Sequence, residues 1–139
     1  MSDTQPRGHS ALKLTPNKVP AFTLEDMRAY LQSAPFCAGG PTLSGQPPTI
    51  DTLEFVGCKE LTDRLNLFIG LPDDALVCYV VLRGPFHLTL MSYPPGAVQG
   101  IPVSETVEEI YNARTGDLLV WSADPSNPHK KARQLRSEL

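Results

Sequence analysis

Ala75-Leu-Val-Cys-Tyr-Val-Val-Leu-Arg83 and Glu109-Ile-Tyr-Asn-Ala-Arg-Thr-Gly-Asp-Leu-Leu-Val-Trp121 are the segments whose reading decides the fold. The first is apolar at nearly every position, the pattern of a strand buried on both faces. The second reads as a hairpin. Its turn, from Asn112 to Asp117, puts Gly116 where a type I turn closing in a bulge needs positive φ. Alternation assigns Leu76, Cys78, Val80 and Leu82 to one face of the sheet and Val77, Tyr79 and Val81 to the other. In the closing strand it sets Leu118 and Val120 against Leu119 and Trp121.

Toward the N-terminus, Thr23-Leu-Glu-Asp-Met-Arg-Ala-Tyr-Leu-Gln-Ser-Ala-Pro35 is the strongest helix signal in the chain. Thr23 takes the N-cap, Asp26 the capping-box position, and Phe22 and Met27 the two ends of a hydrophobic staple. Leu24, Met27, Leu31 and Ala34 form an apolar stripe flanked by Tyr30, and Pro35 ends the helix. Residues 36–48 read as a long Gly/Pro/Ser-rich loop, and Thr49 to Val56 as a strand. Cys58 to Leu65 fits either a helical turn or a continuation of that strand, with Leu61 and Leu65 spaced i, i+4; we lean to a helical turn or irregular chain. Gly84-Pro85 interrupts a pattern that Phe86 to Met91 resumes, which predicts a bulge in one long strand. A second loop spans 93–103.

The expected architecture is therefore α+β, with one principal helix on an antiparallel sheet of about four strands. Residues 19–123 form the single domain, between a disordered arm at 1–18 and a polar, basic tail at 124–139. The 139 residues carry a formal net charge of -3, which argues against a nucleic-acid partner. No run of 18 apolar residues is present to span a bilayer. The start shows no charged and apolar leader, which predicts a cytoplasmic protein, or an extracytoplasmic one if the chain is a piece of a secreted parent. Cys37, Cys58 and Cys78 are an odd set without C-x-x-C spacing, which favours free thiols; a Cys37–Cys58 bridge is the alternative in a secreted parent.

Chemistry-bearing residues are sparse. His9 and His129 fall in the arms and His87 stands alone on a strand, with no donor at ligand spacing, so no metal or cofactor is expected. Cys78 reads as a buried small hydrophobe, and Cys58 as the more reactive thiol but without a partner base. Glu105, Glu108 and Glu109 read as a solvated strand edge. Neither G-x-S-x-G nor a phosphate loop occurs.

The order helix, strand, strand and hairpin, ending in Ile110-Tyr-Asn-Ala-Arg-Thr-Gly-Asp-Leu-Leu119, resembles the PepSY domain family. There the last hairpin reads Tyr-x-Val-x-Val-Asp-Ala-x-Thr-Gly-Glu-Val-Leu. Asn112 stands where the family often has Asp, Ala113 and Thr115-Gly116 match, and Asp117-Leu118-Leu119 follow. The resemblance implies a small α+β module that binds or restrains a protein partner, inhibitory to a peptidase in its best-known members. The matched positions shape a turn, so no active residue carries over.

The leading expectation is a non-enzymatic binding or regulatory module with a protein partner or a second copy of itself. One helix covers only one face, so the second face must be covered by the loops, the tail, another copy or a partner. That places Tyr79, Val81, Leu119 and Trp121 near an interface. The alternative is a small ligand-binding protein or enzyme with a pocket between helix and sheet near His87, lined also by Tyr30, Tyr79 and Phe86.

Overall fold

The central strand is bonded on both sides. In the computed structural model, which describes residues 11–89 and 102–125, the elements run α1 (Leu24–Leu31), β1 (Phe36–Cys37), β2 (Gly40–Pro41), β3 (Thr49–Gly57), α2 (Cys58–Leu65), β4 (Leu76–His87), β5 (Val103–Asn112) and β6 (Leu118–Pro125). β3 to β6 form one antiparallel sheet in chain order, and β1 and β2 form a two-stranded ribbon. This is the expected α+β class. β4 runs through Gly84-Pro85 as a single strand, and the register with β5 slips between Arg83 and Phe86. Proline lacks the N–H that a ladder needs, so a slip is where an interior strand can hold it.

α1 forms as its cap dictates. The Asp26 N–H donates to Thr23 Oγ1 at 3.0 Å, and the Thr23 N–H donates to Asp26 Oδ2 at 3.1 Å. Met27 and Leu31 are buried with Ala21, Phe22, Cys78, Val80, Leu82 and Phe86 in the larger of two cores. The ring of Phe22 lies 5.5 Å from that of Phe55, fastening the helix start to β3.

The second face has a cover of its own. Residues 58–65 are a true helix, α2, so the described residues hold two helices where the sequence argued for one principal helix. Cys58, Leu61 and Ile69 pack on Val56, Val77, Tyr79 and Ile110, with Leu65, Leu67, Leu71, Leu119 and Val120 around them. The signal was faint because Gly57 offers no side-chain cap and Asn66 ends the helix in the left-handed region, at φ 54°. Burial of the Cys58–Leu61–Leu65 stripe decides for the helix, since tertiary packing outweighs weak capping.

The long loop also acquires structure. Phe36 pairs with Pro41, Cys37 with Gly40, and Thr42 bridges to Phe86. Gly40 sits at φ +151°, where a Cβ would lie 1.9 Å from the His87 carbonyl oxygen, so only glycine allows this approach. From Leu12 onward the expected arm is held in place. Leu12 packs against the larger core, and the Thr15 N–H donates to the Ala21 carbonyl at 2.6 Å. Leu12 and Leu14 alternate with polar residues and lay their methyls over the Gly116 turn. Residues 1–10, most of the 93–103 loop and the tail from 126 lie outside the described residues.

Candidate functional site

The sequence-derived interface residues do not share one face. Tyr79, Val81 and Leu119 belong to the α2 face, whereas Trp121 packs into the α1 face. The cause is a register slip: Tyr111 pairs with Leu118 and Ile110 with Val120, so Leu119 is an extra residue without a partner. One inserted residue reverses the alternation of everything after it. Trp121 instead lies over Gly39, where an added Cβ would come within 2.8 Å of the indole. The other three do lie together. Tyr79 is buried, and Val81 and Leu119 are half-buried at the margin of the second core.

The residues of the alternative pocket divide as well. Tyr30 and Phe86 are part of the α1-face core, and Phe86 is fully buried there. His87 follows Phe86 in the strand and so leaves by the other face, with Tyr79. Its Nδ1 is buried and has no hydrogen-bond partner among the described residues. A cleft of about 310 Å³ does exist, but at the start of α1. It is lined by Thr15, Lys18, Pro20 and Phe22 to Leu24, with Phe55 opposite. Phe55 pairs with Cys78, nine positions along β4 from His87, or roughly 30 Å at ~3.3 Å per residue.

Two polar clusters are built by the fold, and both use glutamates that the sequence assigned to a solvated edge. β5 is an interior strand, so that expectation fails for Glu109, which is 1% exposed. Its Oε2 accepts from the Ala38 N–H at 2.7 Å and its Oε1 from the Tyr111 hydroxyl at 2.6 Å. Tyr30 stacks edge-on against Tyr111, with ring centroids 6.3 Å apart. Burial pushes the Glu109 carboxyl upward, partly offset by its two donors. Burial, then the nearby Glu109 carboxylate, raises both tyrosines. The carboxylate latches the β1–β2 ribbon to the sheet, in a place that solvent does not reach. Two adjacent glutamates in a strand must face opposite ways, and nothing local in the sequence says which one is inside.

Glu108 is the one that faces out, on the α2 side. It accepts from the Tyr79 hydroxyl at 2.6 Å and from the Ser122 hydroxyl at 3.0 Å. Burial and this bond raise the Tyr79 phenol well above its ordinary value. Beside it, Arg64 on α2 bridges Glu54 at 2.9 Å and Glu60 at 2.8 Å. The connector from α2 to β4 supplies the feature that sequence reasoning missed. Ile69 is buried in the second core and Leu67 packs against it half-buried, while Phe68 between them is 84% exposed.

The three cysteines are buried, and Cys37 and Cys58 lie in cores on opposite faces of the sheet, which rules out the bridge between them. Burial pushes the Cys78 thiol up to about 12. Among the described residues no group of three His, Cys, Asp or Glu side chains converges for a metal, and no helix is long and apolar enough to cross a membrane. Compared with protein-family models, curated proteins and solved structures, the chain matches none of them.

Proposed function

We propose that the protein is a non-catalytic binding or regulatory module that docks a protein partner on its α2 face, with Phe68 as the anchor. The observation that carries the reading is the exposure of Phe68 between half-buried Leu67 and buried Ile69. Its backbone is held by Leu67 and Ile69, so binding has only the rotamer freedom of the ring left to restrict and no backbone to order. Aromatic anchors held in this way dominate protein interfaces. Val81 and Leu119 add half-buried apolar area on the same face, and the Tyr79–Glu108–Ser122 cluster adds fixed acceptors at its edge. The PepSY-like hairpin at Asn112–Asp117 agrees with a module that restrains a partner.

Phe68→Ala tests it. The ring touches little, so stability should change by about 0.5 kcal/mol or less. A partner captured by the native chain and then purified should bind the variant at least about tenfold more weakly, the loss of a modest hot spot. Equal affinity for both chains would refute the reading.

The cleft beside Phe22 and Phe55 favours a second reading, a small amphipathic anion with its apolar part on the two rings and its charge near Lys18. Thermal stabilisation by medium-chain carboxylates, lost in Lys18→Glu, would support it.

A further inference from the structure

We propose that β6 is a self-pairing edge, and that two copies of the chain join β6 to β6 in antiparallel fashion as one continuous sheet. Both edge strands of the described sheet carry a register slip, at Asp51 in β3 and at Leu119 in β6, and they differ in charge. β3 is defended: its register slips between Ile50 and Thr52, Asp51 at the slip is ion-paired to Arg83, and Glu54 is paired to Arg64. A bulge and charges are the usual means by which an edge refuses another strand. β6 carries no charge from Leu118 to Ala123, its one charged residue being Asp124 near its end, and no strand of the described residues pairs with its outer side. Leu118 is exposed, and Leu119, Val120 and Trp121 are half-buried. From Val120 to Ala123 the pairing with β5 is regular, so the outer row of N–H and C=O groups is straight enough to receive a strand.

A second copy fits this edge better than an unrelated strand. An antiparallel ladder has a two-fold axis, so any open antiparallel edge is complementary to itself and the contact closes after two copies. Charge points the same way. Each chain is net negative, and like-charged copies repel unless they meet on an uncharged strip. Beyond Pro125, the chain continues with Lys130, Lys131, Arg133 and Arg136 against Glu138 alone. Antiparallel pairing sets the end of one β6, after which these basic residues follow in the sequence, beside Asp117 at the beginning of the other. The edge adjoins the Phe68 face and shares Leu119 and Ser122 with it, but self-pairing uses the outer backbone groups of β6 and is read in the chain alone, so its failure is distinguishable from a failure of the Phe68 reading.

The experiment uses the full chain. Light scattering after size exclusion, over a wide dilution series, should show a dimer that dissociates on dilution. Ser122→Lys places a charge on β6 beside Glu108, where a monomer accommodates it. This change should weaken dimerisation about tenfold or more while the monomer stays folded by circular dichroism. Thr49→Lys, an equal charge on the exposed start of β3, should leave the dimer intact. Hydrogen exchange at Val120 to Ala123 should slow as the dimer forms. Three results would overturn the proposal: a monomer at every concentration with β6 amides protected, so that the chain covers its own edge; a monomer with those amides unprotected; or a dimer that Thr49→Lys disrupts as much as Ser122→Lys.

Discussion

Glu109→Gln should make stability less dependent on pH, in a direction that the geometry dictates. The native carboxyl is raised by burial, so the folded protein holds its proton more tightly than the unfolded chain, whose glutamate titrates near 4.5. Below that value both states are protonated and the raised affinity has no effect. Between it and the folded value the folded state carries the extra proton, so stability falls as pH rises through this window; above it the loss is complete and flat. One proton sets the slope at about 1.4 kcal/mol per pH unit at most. Asp26, lowered by the backbone and hydroxyl of Thr23, works in the opposite sense and in a lower window, losing its stabilisation as pH falls below the ordinary aspartate value of 3.8. Glutamine removes only the Glu109 contribution, so the difference between the two chains isolates it. The amide oxygen still accepts one bond, and the amide group can donate to the Tyr111 oxygen. Urea unfolding followed by Trp121 fluorescence, from below the ordinary glutamate value to neutral pH, is the assay. The native chain should lose ground to the variant as pH rises. A flat difference, or one of opposite sign, would mean that the carboxylate is not enclosed as described. Glu109→Leu should cost about 1–3 kcal/mol for each donor left unpaired, the Ala38 N–H and the Tyr111 hydroxyl.

Leu61→Ala should cost about 2–5 kcal/mol, because Leu61 is fully buried at the centre of the second core. An unchanged urea midpoint would mean that α2 does not cover that face. Gly116 holds φ at +79°, with the methyls of Leu12 and Leu14 about where a side chain would go, so Gly116→Val should lower the melting temperature far more than Arg114→Val. Equal shifts would refute the turn. Cys78, with its thiol pushed up to about 12, should resist a thiol-specific reagent at mildly alkaline pH in the folded protein and react once urea unfolds it. Modification of Cys78 at the rate of a free thiol in the native state would contradict its burial.

Local chemistry was enough for some elements. Thr23 and Asp26 close a capping box whatever lies beneath, and Gly116 turns the last hairpin because no other residue takes that φ cheaply. The doubly apolar pattern of residues 75–83 announced a central strand. It also implied a cover for the second face, which α2 and residues 67–71 provide over part of its length. The candidate residues were less legible. Phe68 sits in an apolar run, Leu67-Phe-Ile69, in which nothing marks the middle member as the one left in water. Tyr79 was read as part of a surface and is buried, with its hydroxyl carried to the margin by Glu108.

The sequence by itself determined the class, the order of the main elements, the first helix to its cap and the closing turn. These depend on contacts between residues a few positions apart, which composition and spacing encode directly. Only the tertiary structure decided which way the alternation runs. The unpaired Leu119 moves Trp121 to the opposite face, and the choice between Glu108 and Glu109 places one carboxylate in the core and the other at the surface. A strand's side chains alternate with period two, so a single unpaired residue, or a single choice of register, reverses all that follows. That choice is made by the neighbouring strand and the packing on it, not by the residues themselves.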